Sequence, residues 1–271
     1  MFPQNSSKDQ TLKSKDLILP SLLVLAQAER LGLGPVSSVQ LENALRPVMA
    51  LSEADMETTA SDNVSRFSRK LRNMVSSHQT LINAGLVRQA VVEEDESRVY
   101  VRITRKGQAQ LFDHMLGMMS DTAPAIDKLL ESDPAPQVVE GLARVSERSL
   151  VDVALLVLAQ TQAANDNKPV STTLLRRAIK ALPTLQVSPE DTEVLAGRKD
   201  TKIDQILRNL LGSHKTLTRN RWARETEHGL SITQGGKVRM LDCLLSNFPA
   251  PPLSQTVSED PSAPRRRGPR P

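Results

Sequence analysis

Residues 64 to 82 carry side chains whose types and spacing suit a polyanion. At about 100° per residue, Val64, Phe67, Leu71, Met74, Val75, His78, Leu81 and Ile82 fall on one side of a helix, while Arg66, Arg69, Lys70, Asn73, Ser77 and Thr80 fall on another. Cationic groups neutralise phosphates, and exposed amide or guanidinium groups make paired hydrogen bonds to base edges. Asn73 suits the N6 and N7 atoms of adenine, Arg69 is the second base-reading candidate, and Arg72 sits at the edge of the stripe, where phosphate is the natural partner. The stretch 200 to 219 repeats the arrangement with Lys202, Gln205, Ile206, Asn209, Ser213 and Thr216. There Asn209 is the first base-reading candidate, Gln205 the second, and Arg208 and Lys215 lie toward the edges. The first copy has Gln79 opposite Lys215 and offers only a neutral hydrogen bond there. A solvated helix face is often basic without binding anything. Against that, Arg66/Lys202, Asn73/Asn209, Ser77/Ser213 and Thr80/Thr216 agree in kind at positions where packing alone does not require it.

Other chemistry finds few candidates. His78 and His214 lie on the apolar side and read as core-edge histidines rather than metal ligands, and His114 and His228 have no partners. The single cysteine, Cys243, can form no internal disulfide; among Leu241, Leu244 and Leu245 it reads as buried apolar filler. Cys/His clusters of zinc spacing are absent, so no metal and no cofactor is expected. Aromatics are 2% of the chain, too few for a module that stacks bases on rings. No apolar run reaches the roughly 18 residues of a membrane span, residues 1 to 17 lack the apolar stretch of a signal peptide, and a lone cysteine fits a reducing cytoplasm. The net charge of +4 and pI near 9.3 permit nucleic-acid binding without requiring it.

The elements that position these residues come in duplicate. LLVLAQ occurs at Leu22 to Gln27 and at Leu155 to Gln160, and Pro-Val-Ser at Pro35 and Pro169. LRNMVSSHQTL at Leu71 and LRNLLGSHKTL at Leu207 agree at seven of eleven positions, and ITRKG at Ile103 matches ITQGG at Ile232. The offsets of 133, 134, 136 and 129 keep the order and let only loop lengths drift. The 271 residues therefore divide into a disordered N-terminus (1–17), a first domain (18–117), a helical linker (118–150), a second domain (151–246) and a disordered, proline-rich basic tail (247–271).

In the first copy the spacing predicts a helix from Leu17 to Leu31 ended by Gly32, and a second helix capped by Ser37 or Ser38 and running to about Leu51 with Pro47 as an internal break. A short turn capped by Ser52 follows, then one long helix from 62 to 84 closed by Gly85, a hairpin from VRQAVV and RVYVRIT, and a helix from near Arg105. The second copy repeats this at 151–163, 172–183, 200–219, a hairpin around Thr226 to Gly229, and a helix from Gly236. Three helices, a two-stranded hairpin and a closing helix describe a winged helix. The expected fold class is mainly α with small β-hairpins, as two tandem winged-helix (helix-turn-helix) domains joined by a helical spacer.

LSEAD, RFSRKLRNMVSSHQTLINAGLV and VYVRITRKGQAQL together resemble the N-terminal winged-helix domain of Mrr-type restriction endonucleases. The second copy keeps VSPED, KIDQILRNLLGSHKTL and LSITQGGKVRML, but has Asn220, Arg221 and Trp222 where the first has Ala84, Gly85 and Leu86, so its helix end is expected to be capped differently. The resemblance implies double-stranded DNA as partner. In that family a nuclease domain carrying a (D/E)-x-K strand follows; here a second copy stands in its place. Asp166-Asn167-Lys168 and Asp200-Thr201-Lys202 fall in a loop and at a helix start, and no enzyme is expected.

The hairpins are the usual second contact. Arg98, Arg102, Arg105 and Lys106 serve the first, although Glu93 to Glu96 make its tip acidic; Arg219, Arg221 and Arg224 flank the second. Residues 18 to 117 hold eleven basic and eleven acidic side chains, and 151 to 246 hold fourteen and ten, so the second copy should supply more of the salt-dependent affinity. The tail RRRGPRP departs from the Gly-Arg-Pro order of an AT-hook and implies only non-specific phosphate attraction. The expected function is a bacterial or mobile-element transcriptional regulator, cytoplasmic and nucleoid-associated, whose two copies form an intramolecular pseudo-dimer and leave room for a homodimer. The alternative is a protein-interaction adaptor built on the same faces in a phage or plasmid complex.

Overall fold

A computed structural model describes residues 12–58, 64–76, 80–92, 99–119, 134–212 and 215–253. The chain is mainly helical, with sheets of only two or three strands. The first copy runs α1 (Ser14–Arg30), β1 (Val36–Ser37), α2 (Ser38–Leu45), α3 (Glu53–Met56), α4 (Arg66–Val75), α5 (Thr80–Asn83), β2 (Val87–Ala90), β3 (Tyr100–Ile103) and α6 (Arg105–Met118). After β4 (Gln137–Val138) the second runs α7 (Glu147–Ala164), α8 (Thr172–Lys180), β5 (Gln186–Val187), α9 (Lys202–Leu211), α10 (Thr216–Arg219), β6 (Ala223–Thr226), β7 (Gly229–Ile232) and α11 (Gln234–Leu245).

Capping chemistry sets most of these starts. Ser37, Ser52, Ser65 and Thr104 each accept a hydrogen bond from the backbone N–H three residues on, and Ser171, Thr201 and Thr233 do the same in the second copy. The sheets match as well. In the first copy the strand order is β1-β3-β2, with Val36 opposite Val101 and Val87 opposite Ile103. In the second, β6 pairs β7, and the place of β1 is taken by a single antiparallel bridge between Val170 and Leu230. The hairpin tip Gly229 presses on the Val170 carbonyl, 2.2 Å from where a Cβ would stand, so that position has no room for a side chain.

Several expectations are corrected. The long helix of 62–84 is two helices, because Ser76 leaves α4 in an extended conformation (ψ 166°) and Thr80 starts α5; Gly212 breaks the second copy at the matching position (ψ 173°). Ser-Ser and Gly-Ser have weak helix propensity and no apolar group to hold the chain to the core. The second helix stops at Leu45 rather than Leu51, since Pro47 lacks the N–H to continue it. Within the N-terminal segment expected to be disordered, Ser14–Leu17 belong to α1, Leu17 is fully buried and Leu12 packs on the core; residues 1–11 lie outside the described residues. Of the linker 118–150, Met118 ends α6 and Glu147 begins α7, while the described residues between, 134–146, are not helical; they carry β4, which pairs in parallel with β5, and the second copy already begins at Val145. Its remainder, 120–133, lies outside the described residues. Of the tail only 247–253 are described, and Leu253 packs on the core. Cys243 is exposed; burial of the thiol's surroundings, with Asp152 and Asp242 close by, still raises its pKa.

The two copies share one hydrophobic core. The closing helices α6 and α11 pack on each other, Lys237 pairs with Asp113 at 2.6 Å, and the buried Gln27 amide donates to the Leu245 carbonyl at 3.1 Å. Ala26 and Glu29 of α1 share a cleft with Asp242 and Leu245 of α11, while Ala159 and Gln162 of α7 share one with Asp113 and Leu116 of α6. These are the same repeat positions with the copies exchanged, which is the mark of an isologous, two-fold-like pairing. No helix among the described residues is long and apolar enough to cross a membrane.

Candidate nucleic-acid interface

Among the described residues the main packing of α4 and α9 is on elements of their own copies, α4 on α1, α2, α3 and α5, α9 on α7, α8, α10 and the Pro189–Asp191 turn. The pairing of α6 with α11 therefore leaves their outer faces clear. The inner faces are Phe67, Leu71, Met74 and Val75 in α4 and Ile203, Leu207, Leu210 and Leu211 in α9, all buried. The outer faces differ from a uniform basic stripe, residue by residue.

Arg72 and Asn73 in α4, and Arg208 and Asn209 in α9, are exposed at the seventh and eighth positions of their helices. Neither asparagine side chain has a hydrogen-bond partner among the described residues, so both amides are available to a ligand. Arg208 pairs with Asp200, which also takes the acid of Asp200-Thr201-Lys202 into an ion pair. Arg66 and Lys202 occupy the first helical position, where a cation opposes the helix dipole. Arg66 is exposed and pairs with Glu57 at 3.0 Å, and Lys202 is half-buried and lowers the pKa of Asp191. Arg69 and Gln205 stand half-buried one turn in from the start.

Three candidates are placed otherwise than projected. Lys70 turns inward, its ammonium 3.2 Å from the buried Asp55 carboxylate and bonded to the Leu12 carbonyl, so it is spent on the fold. Thr216 donates to the Glu147 carboxylate and is half-buried. Thr80 is exposed but opens α5, as Thr216 opens α10, because the break resets the helical phase that put both on one stripe. Ser77 and Ser213, with His78, Gln79 and His214, lie outside the described residues.

The chain beyond α10 overturns the expectation of a different helix end. Arg221 adopts φ +60°, matching Gly85 at φ +69°. The same bonds close both ends: Gly85 and Leu86 donate to Ile82 and Leu81, Arg221 and Trp222 to Thr218 and Leu217. Thr104 and Thr233 then donate their hydroxyls back to the Gly85 and Arg221 carbonyls. An L-residue in this conformation costs about 1 kcal/mol or more, and such costs concentrate at functional sites. Arg221→Gly should therefore raise stability by about 1 kcal/mol in a denaturant melt while removing an exposed cation from the surface.

Lys215, Arg219, Arg221 and Arg224 are all exposed around α10 and β6. In the first hairpin Arg105 and Lys106 are exposed, but Lys106 donates to the Ala84 carbonyl at 2.7 Å and Arg102 lies 3.9 Å from Glu29. Arg98 and the acidic Glu93 to Glu96 lie outside the described residues. Sequence reasoning passed over Arg88, exposed in β2 where Arg224 is exposed in β6; carrying the 136-residue offset three residues past Gly85 would have found it. No group of three or more His, Cys, Asp or Glu among the described residues is placed to hold a metal ion. Comparison with known proteins found no matching family model, no matching curated protein and no matching solved structure.

Proposed function

We propose that the chain is a non-enzymatic regulator that binds double-stranded DNA through two tandem winged helices acting as an intramolecular pseudo-dimer. In this reading α1, α2 and α4 are the helical core of the first winged helix, the β1-β3-β2 sheet carries its wing, and α4 is the recognition helix. The second copy supplies α7, α8, α9 and the β6-β7 wing. The resemblance to the Mrr N-terminal domain points the same way. The observation that carries the reading is the matched pair of exposed Arg-Asn steps, Arg72-Asn73 and Arg208-Asn209, on helices that the α6–α11 pairing leaves uncovered. Two such helices would address half-sites about 10 base pairs apart on one face of the duplex, and the site of action would be the cytoplasmic nucleoid. Further pairing into a homodimer is compatible with this reading.

A salt titration of duplex binding tests it. Each phosphate neutralised contributes about 0.9 to the slope of log affinity against log salt, so the full chain should show a steep linear fall, and Arg66→Ala with Lys202→Ala should lower affinity at every salt concentration. A chain with no salt-dependent duplex binding that still captures a protein partner would be the interaction adaptor instead.

A further inference from the structure

Resting on the DNA-binding reading above, we infer that the preferred duplex is not a palindrome: its two half-sites share the base pair met by Asn73 and Asn209 and differ at the neighbouring pair met by Arg69 and Gln205. Identical subunits about a two-fold must read identical half-sites. Here the exchange of α6 with α11 preserves the two-fold frame, which keeps the half-sites inverted, while one chain carrying both copies frees their surfaces to differ.

The differences fall on the outer surface. Arg72/Arg208 and Asn73/Asn209 match, but one turn nearer the helix start Arg69 stands in one copy and Gln205 in the other, both half-buried, Arg69 with an interaction inside the protein that a base would have to replace. A guanidinium makes its paired bonds to O6 and N7 of guanine, and an amide to N6 and N7 of adenine, so the two helices favour different bases from equivalent places. Past the short third helix, Gly85 and Arg221 have the same backbone conformation, so a side chain is all that separates them. Arg219 is exposed where the first copy has Asn83, whereas the exposed Arg105 and Lys106 of the first copy stand where the second has Gln234 and Gly235, so the cations beside the two hairpins occupy different places.

Selection of bound duplexes from a random library by the full chain reads the outcome. The expected consensus has two inverted halves that agree at the asparagine position and differ at the adjoining one, with the wrong base at the differing position costing about tenfold or more in affinity. Arg69→Gln should make the halves alike, and Gln205→Arg should do so in the opposite sense; because Arg69 also interacts within the protein, affinities of the two variants are compared at temperatures below the start of their own melting. Arg219→Ala with Arg221→Gly should weaken all sequences equally and flatten the salt slope by about 2. A palindromic consensus from the unaltered chain would overturn the inference and leave DNA binding standing, as would a consensus that neither swap changes. Failure of the unaltered chain to bind any duplex in a salt-dependent way would overturn both.

Discussion

Asp55→Ala will lower the stability of the chain by about 3 kcal/mol or more, and Asp191→Ala by somewhat less, both read as a lower urea midpoint at unchanged slope. The two carboxylates are fully buried at matching places in the repeat. Asp55 accepts from the Leu12 and Ser52 N–H groups, the Ser52 hydroxyl and the Lys70 ammonium. Asp191 accepts from the Val145 and Ser188 N–H groups and the Ser188 hydroxyl. Each side chain thereby ties the segment entering a copy's first helix to the turn ahead of its recognition-helix candidate. Truncation leaves buried donors unpaired, at about 1 to 3 kcal/mol each less what water recovers. Loss of Asp55 also strands Lys70, whereas the counterpart of Lys70 is Ile206 and one Asp191 oxygen has no hydrogen-bond partner. That difference sets the order of the two losses. A loss below about 1 kcal/mol for Asp55→Ala would show that these bonds do not hold the copy together.

The same groups set the acid limit. Burial would push Asp55 up, but the Ser52 hydroxyl, the Leu12 N–H and Lys70 outweigh it and hold its pKa below the ordinary value; Asp191 is lowered likewise against its burial by Val145 and Ser188. Asp204, also lowered, owes this to Thr201 and Lys180 acting against burial. A carboxylate lowered on folding contributes its full stability above its unfolded value, about 3.9, and loses it as the pH falls through the native value. Stability should therefore be level through neutrality with respect to these groups and fall below about pH 4, with a shallower fall in Asp55→Asn and Asp191→Asn.

What the sequence made legible was what local chemistry determines. Ser37, Ser52 and Thr104 cap where a hydroxyl ahead of apolar spacing says they should, and the strand at Tyr100 alternates as a half-buried strand does. The break at Ser76 leaves no mark in the periodicity because Leu81 and Ile82 keep helical spacing from Leu71 and Met74 in the sequence, although the backbone turns between them. Lys70 and Thr216 were placed on the outer face for a related reason. Angular projection gives a direction from the helix axis, and a long side chain or a neighbouring carboxylate bends that direction back toward the protein. Arg221 gives no local sign of its left-handed backbone, which disfavours L-residues, because the surrounding bonds from Trp222 and Thr233 are what fix it. The pairing of α6 with α11 was invisible for want of any local signal, since Gly107 and Gly236 near their starts pack within their own copies.

Asn73→Ala with Asn209→Ala will lower affinity for the selected duplex by about 2 to 6 kcal/mol while leaving non-specific binding and its salt slope nearly intact. Each bidentate amide contributes about 1 to 3 kcal/mol of discrimination, and the residues lie on separate helices of separate copies, so the two losses should add. Both side chains are exposed, so truncation opens no cavity and the melting curve should not move. The contrast with Arg72→Ala is what gives the pair its meaning. A phosphate contact weakens every sequence alike and lowers the slope by about 1, whereas loss of an amide at a base edge narrows the gap between the selected and random duplexes. If the asparagine pair weakened both duplexes equally, the exposed Arg-Asn steps would be an electrostatic surface only, and base reading would have to come from the hairpins.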